Sequence, residues 1–301
     1  MKKRPFMQAS DLELLQTFNA EAVAATDSLG YVHPGDIPHR LYSGNKLYDP
    51  GEVMTLWEDD RGVAAWVLVS PRYRGFDAQV RPDLRGGDLE REVILHATEG
   101  TRTLKRKYEI EGDEILADAF RGDTIRHELL LELGWKPSGE SDYVINRAEF
   151  GRLEDPVFPQ GYSVRCAKGV EEAAALAEVH SASFGTNWTE ELYRKLMLSP
   201  GYSPEREFVV VAPGGGFAAF TVTWLDHRNR MGLFEPVGTH KDHRRLGLGR
   251  ELLKHGMKQM AEAGMTSAIV ATFVSNKGAQ GLYEGCGFAP WYELDPFTMP
   301  A

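Results

Sequence analysis

Cysteine is nearly absent from this chain. Cys166 and Cys286 are the only two, too few for a disulfide framework, and their scarcity suggests a reducing, cytoplasmic setting. Long apolar runs are missing too. No stretch approaches the roughly 18 residues read as a membrane span, and the opening MKKRPFMQASDLELL turns polar too soon for a secretory leader. No basic run exceeds a few residues and the formal net charge is −10, which argues against a nucleic-acid surface. What is present is ordinary for a globular protein, with 42% hydrophobic and 26% charged residues. At 301 residues there is room for two domains.

The chain is organised around Gly232–Gly264, GLFEPVGTHKDHRRLGLGRELLKHGMKQMAEAG. Leu233, Phe234 and Val237 open it as a short apolar strand. A polar connection leads to Arg244-Arg245-Leu246-Gly247-Leu248-Gly249-Arg250. A helix then begins, with Leu248, Leu252, Leu253, Met257 and Met260 at helical spacing; Gly264 is its stop signal. A strand, a turn of two glycines and two arginines, and a helix N-terminus together make a place for phosphate. Glycine lets the backbone come close to an anion. First-turn N–H groups lack helical partners and the helix dipole favours negative charge there. Two guanidiniums add charge that no working pH removes.

The turn reads Arg-x-x-Gly-x-Gly, which resembles the acyl-CoA pyrophosphate loop of the GNAT N-acetyltransferase superfamily. About 30 residues on, Asn276-Lys277-Gly278-Ala279-Gln280-Gly281-Leu282-Tyr283-Glu284-Gly285-Cys286-Gly287-Phe288 resembles that family's second motif, an Asn, a short helix carrying Leu-Tyr, then Gly-Phe. Two motifs in this order and spacing make the likeness specific.

Read in order, the chain repeats itself. The first half reads as a strand over 4–10, a helix over 11–26, a Pro- and Gly-rich loop over 30–51, and strands at 53–57, 62–70 and 76–80. A helix over 88–107, a strand at 115–119, a helix over 124–133 and a strand at 142–146 follow. The second half runs through a strand at 161–165, helices at 171–184 and 188–197, a hairpin of 208–212 with 217–224, and the strand, turn and helix above. A strand at 267–274, a helix at 280–284 and a last strand at 291–298 close it. Arg85 precedes Arg244 by 159 residues and Trp135 precedes Phe288 by 153, as a duplication predicts. With a linker over 149–160, the expected domains are 1–151 and 158–301.

The copies differ in chemistry. Where Gly247 and Gly249 follow the second arginine pair, the first half has Asp88 and Glu90, carboxylates that repel pyrophosphate; Gly86 and Gly87 could supply part of a nest. Leu130 stands at the Tyr283 position. The first copy therefore reads as structural, or as a wall of the substrate pocket.

The resemblance implies a fold, a cofactor and roles. It implies two tandem α+β domains, each a mixed, mainly antiparallel sheet flanked by helices, with catalysis in the C-terminal copy. It implies acetyl-CoA as co-substrate, with no metal. Backbone N–H groups over Arg244–Arg250 would hold the pyrophosphate, while Val237, Gly238 and Thr239 would line the pantetheine arm where the strand splays from its neighbour. Asn276 would bond the arm or merely start its helix. The family often carries a glutamate on this strand, and Glu235, nine residues before Arg244, is the candidate base. Its commonest family position is Leu233 here, and a plain ion pair with Arg230 or His243 is the competing role. His240 and His243 are second choices as base; their His-x-x-His spacing lacks a third metal ligand. Tyr283 is the candidate acid, against a packing role, and Cys286 is either a thiol nucleophile or a small packing residue. The tandem layout also resembles the mycothiol synthase group, without fixing the acceptor.

The expected activity is acetyl transfer from acetyl-CoA to a small amine-bearing molecule, with no nucleic-acid or membrane partner. The alternatives are a protein or peptide N-acetyltransferase, or a non-catalytic acyl-CoA sensor.

Overall fold

The computed structural model describes residues 1–139 and 143–301. Its elements run β1 (Lys2–Pro5), α1 (Ala9–Thr26), two short helical turns α2 (Asp36–Pro38) and α3 (Pro50–Val53), β2 (Met54–Asp59), β3 (Gly62–Ser70), β4 (Gly75–Val80), α4 (Asp88–Lys107), β5 (Glu114–Phe120), α5 (Thr124–Glu132), a two-residue β6 (Lys136–Pro137) and β7 (Tyr143–Glu149). Then come β8 (Ser163–Cys166), α6 (Ala173–Phe184), α7 (Glu190–Met197), β9 (Glu207–Val211), β10 (Phe217–Asp226), β11 (Met231–Thr239), α8 (Leu248–Glu262), β12 (Ser267–Phe273), α9 (Lys277–Glu284) and β13 (Ala289–Pro300). The periodicities placed most of these within a few residues. The first strand ends at Pro5 rather than running to position 10, because Met7 and Gln8 donate their N–H groups to the Asp11 carboxylate that starts α1. Position 142, where a strand was expected to begin, lies outside the described residues.

Contacts divide the chain into two units, Met1–Val144 with Tyr292–Ala301, and Ile145–Trp291. The boundary thus falls at 144/145 rather than within 152–158, and the last ten residues belong with the first unit. β13 pairs antiparallel with β5 from Leu294↔Phe120 to Pro300↔Glu114. An alternating strand pattern names the buried face of a strand and not the sheet that will accept it. The stretch expected as a linker lies in the second unit and is tied to α8: Val157 N–H donates to Glu251 Oε2 at 2.7 Å, and Lys254 meets Glu154 at 2.7 Å.

In the first unit the strand order is β1-β2-β3-β4-β5-β13. Neighbours are antiparallel except β4 and β5, which are parallel and share the pair Gly75↔Leu116. α4 lies against β3 and β4, burying Val93, Ile94, Ala97 and Leu104. Ile94 joins Trp135 and Phe297 in one apolar cluster.

The second unit orders its strands β7-β12-β11-β10-β9-β8. β11 and β12 are parallel, while β11-β10, β10-β9 and β9-β8 are antiparallel. Successive residues of a strand face opposite sides: Ala219 of β10 packs with Leu248 and Leu252 of α8, while Phe220 stacks near His180 of α6. Helices therefore cover both faces. Burying the α8 residues Leu248, Leu252, Leu253, Met257 and Met260 contributes roughly 1.5–3 kcal/mol each.

Candidate active site

β11 is the axis of the site. Its first half is hydrogen-bonded on both sides, ending with Phe234↔Val270 on the β12 side. From Glu235 onward the ladder to β12 is over, and the strand continues along β10 alone. A bulge sits at that point: between Thr221↔Val237 and Thr223↔Phe234, two residues of β11 oppose one of β10. Both bulge carbonyls are held from the β10 side. Trp224 Nε1 donates to Glu235 O at 2.8 Å and Thr221 Oγ1 donates to Pro236 O at 2.9 Å. The result is a wedge between β11 and β12, with Val237, Gly238 and Thr239 along one wall. Gly238 is required there, because a Cβ would stand 2.4 Å from the Phe220 ring and 3.0 Å from Ser183.

The turn after β11 is fixed by side chains that grip backbone. His240 Nδ1 accepts from Asp242 N–H at 3.1 Å, which makes its Nε2 the donor to Glu178 Oε1 at 3.0 Å. His243 Nδ1 lies 3.0 Å from the Tyr162 hydroxyl. Arg244 donates from Nη2 to Ser183 O at 2.8 Å, at the end of α6, and from Nε to Thr239 O at 3.4 Å. Its guanidinium therefore holds the loop in place. Arg245 (φ 64°) and Gly247 (φ 78°) are left-handed, and the first α8 bond is Glu251 N–H to Gly247 O. The N–H groups of Leu248, Gly249 and Arg250 thus have no helical acceptor. Arg245, Leu246, Gly247 and Arg250 are exposed, and neither Arg245 nor Arg250 forms an ion pair among the described residues. Gly249 packs beside Leu282 and Thr239, where a Cβ would come within 3.2 and 3.4 Å.

α9 brings the second motif to the same wedge. Asn276 Oδ1 accepts from Ala279 N–H at 3.1 Å and so caps the helix. Tyr283, 6% exposed, packs in a cluster with Phe234, Leu253 and Phe288. Burial holds its phenol well above the ordinary tyrosine range, and the Glu235 carboxylate is the next cause. The two candidate catalytic groups are therefore electrostatic neighbours. Glu235 is half-buried; of its expected partners, Arg230 donates to Gly264 O at 3.1 Å and His243 faces Tyr162. Burial raises the Cys286 thiol to about 11, so at neutral pH it is a packing thiol and a poor nucleophile. Trp224, Thr221 and Ser183 carried no motif signal; only the fold shows that they shape the bulge and the loop.

The family profile "Acetyltransferase (GNAT) family" matches residues 173–288, the segment from α6 through α9. This segment is similar to the GNAT family over that stretch, which is less than half of the chain. A "Mycothiol acetyltransferase" of an Arthrobacter species is 25% identical over 303 residues, covering 93% of this chain and 91% of that one. Another, from Streptomyces bingchenggensis, is 29% identical over 149 residues, covering 48% of this chain; there the match spans about half of the relative, 47%. Among solved structures, a GCN5-related N-acetyltransferase from Sphaerobacter thermophilus aligns with TM-score 0.65 at 18% identity, covering 99% of this chain and 95% of that one. A tandem GNAT protein from the clavulanic acid biosynthesis pathway aligns with TM-score 0.64 at 17% identity, covering 99% and 98%. At these identities the likeness establishes the fold, a tandem GNAT architecture. The family uses acetyl-CoA as co-substrate. Among the described residues no helix is long and apolar enough to cross a membrane, and no group of three or more His, Cys, Asp or Glu is placed to hold a metal ion.

Proposed function

We propose that the second unit transfers acetyl from acetyl-CoA to the amine of a small molecule by direct attack. The observation that carries this reading is the wedge between β11 and β12, with Glu235 and Tyr283 as electrostatic neighbours at its side and unpaired helix-start amides at its far end. Pyrophosphate takes the N–H groups of Gly247–Arg250, with Arg245 adding charge. The arm of the cofactor runs along Val237, Gly238 and Thr239, extending the sheet where β12 has left it. Glu235, directly or through water, removes a proton from the acceptor ammonium, because only the free amine has a lone pair. The amine nitrogen then forms a bond to the thioester carbonyl carbon. As the tetrahedral intermediate collapses, the C–S bond breaks and Tyr283 gives its phenolic proton to the departing sulfur, while the nitrogen, cationic after attack, releases its second proton, which restores the phenol. The amide and free CoA thiol are the products.

The acceptor class is supported by the relatives named mycothiol acetyltransferases, so an amine of the mycothiol type is the first acceptor to try. The test is acetyl-CoA consumption across a panel of small amines and peptides, with the products identified by mass. Transfer to a small amine supports the proposal and transfer to peptides alone redirects it to protein substrates. Tight binding of acetyl-CoA with no transfer to any acceptor would leave the sensor reading.

A further inference from the structure

We propose that the first unit retains the frame of an acyl-CoA cleft whose anion seat is filled by its own Glu90. The inference rests on reading Arg244–Arg250 as the phosphate loop of the second unit. The frame is repeated in detail. β4 leads through a helical turn (Pro82–Leu84) to Arg85, at φ −69° and ψ 146°, then to a left-handed Gly86 (φ 73°) and the start of α4. In the second unit β11 leads through Lys241–His243 to Arg244, at φ −68° and ψ 157°, then to a left-handed Arg245 (φ 64°) and on to α8. β4 and β5 part after Gly75↔Leu116, as β11 and β12 part after Phe234↔Val270. Asp123 caps α5 by accepting Arg126 N–H, as Asn276 caps α9.

What differs is the occupant. Glu90 Oε2 accepts the Gly86 N–H at 2.6 Å, and Glu90 Oε1 accepts from Arg126 Nε at 2.9 Å and from Arg85 Nη2 at 3.3 Å. These are the donors a phosphate oxygen would demand: a turn amide and two guanidiniums. Arg85 is further held by both Asp123 oxygens at 2.9 and 2.8 Å. Arg126 Nη2 donates to Ala78 O at 3.0 Å, on the edge of β4 that has left β5. That edge is where an arm amide would pair in an open cleft. The Glu90 side chain is wholly buried, and Arg85, Arg126 and Asp123 keep 9%, 10% and 5% exposure. Two cations meet two anions, so the seat is neutral and closed to a further anion. Burial alone would raise the Glu90 carboxyl, but Arg126, Arg85 and the Gly86 amide outweigh it and keep the group ionised. Arg85 Nε, buried and without a partner, is a spare donor in the seat. The remaining gap between β4 and β5 is a cavity of about 60 Å³, room for roughly two waters and far too little for a cofactor arm. The first unit is thus self-liganded, and deleting one carboxylate opens a polyphosphate site.

The experiment follows the Gly86 amide and Arg85 Nε–H resonances in the full chain during titration with inorganic pyrophosphate. In the wild type neither moves, while the amides of Gly247–Arg250 do. In Glu90→Ala both sets move, and the number of bound anions rises from one to two. A folded Glu90→Ala in which Gly86 stays fixed through millimolar pyrophosphate overturns the proposal, and so does a wild type in which Gly86 moves as in the variant. Should Glu90→Ala unfold in chloride, pyrophosphate at equal ionic strength must restore its dispersed spectrum beyond any effect on the wild type; failure to do so also overturns it. Movement at Gly86 with none at Gly247–Arg250 would instead overturn the reading of the second-unit loop.

Discussion

The Trp224 indole N–H donates to the carbonyl of Glu235 at 2.8 Å, a bond made possible only because β11 bulges at that residue. With the Thr221 hydroxyl on Pro236 O, it pins the segment that aims the proposed base. A bulge held by two side chains is a means of turning one strand residue away from the regular alternation. Trp224→Phe keeps the ring and loses the donor; Thr221→Val keeps the shape and loses the hydroxyl. Each is expected to lower kcat roughly 3–10-fold, the worth of one hydrogen bond of about 1 kcal/mol, with KM for acetyl-CoA unchanged. Steady-state kinetics with both substrates varied separates this from general destabilisation, which would leave kcat per folded molecule as it was.

Glu235→Gln removes the proposed proton acceptor while keeping the side-chain shape. The transfer rate should fall about 10²-fold or more, the usual scale of general-base assistance, and acetyl-CoA affinity should barely change. The acid limb of the kcat/KM profile should vanish with it. A variant whose pH profile matches the wild type would move the role to His240, His243 or water.

Much of the local structure around the candidate site was legible before any fold was known, and the illegible parts share a cause. Arg-x-x-Gly-x-Gly gave the loop because its chemistry is local: left-handed turns and a helix start lie within seven residues of sequence. The role of the Arg244 guanidinium was not local. The sequence suggested charge for a phosphate, yet the side chain is committed to the carbonyl of Ser183, and only the packing of α6 on β11 brings that carbonyl within reach. Glu90 was readable as a carboxylate hostile to phosphate. That it would be held as an internal ligand depends on Arg126, which α5 delivers from 36 residues away. The last strand reads as a strand, but alternation does not name β5 as its partner.

Acetyl-CoA should bind once per chain. Calorimetry is expected to give a single site, lost when Gly247 is replaced by Val: the left-handed φ of 78° is strained for a β-branched residue, and its side chain would enter the space of the anion. Two equivalent sites in the wild type would show that the first unit binds cofactor after all.

A buried carboxylate away from the wedge predicts a pH effect on stability. Glu207 accepts hydrogen bonds from the Tyr193 and Tyr202 hydroxyls, both at 2.5 Å. Burial nevertheless raises it to about 7. The folded state thus holds a proton that the unfolded chain releases near its ordinary value, about 4.3. Its contribution is complete below that value and is lost as pH rises through about 7. Glu207→Gln, which cannot ionise, should abolish this loss and raise relative stability at pH 8 by on the order of 4 kcal/mol. Melting curves from pH 5 to 8 that run parallel for the two proteins would contradict this.

Tyr283 carries the sharpest expectation for the chemistry. Its phenol is buried beside Phe288 and Phe234, and burial together with the Glu235 charge holds it protonated far above neutral pH. A proton held this firmly is available to a thiolate only as charge develops on sulfur, which is the property of a late-acting acid. Tyr283→Phe retains the ring contacts and removes the hydroxyl, so the melting temperature and acetyl-CoA affinity should stay near those of the wild type. The single-turnover rate of acetyl transfer should fall roughly 10²-fold, about 2.7 kcal/mol of transition-state stabilisation. Leu130→Tyr, at the matching place in the first unit, should create no activity, because Glu90 fills the anion seat there. The decisive comparison uses acetyl-CoA analogues with more acidic thiol leaving groups. A thiolate that needs no proton should restore the Tyr283→Phe rate toward the wild-type value. Equal losses for all leaving groups would mean that the hydroxyl orients the thioester instead of protonating it, and no loss at all would leave Tyr283 a packing residue.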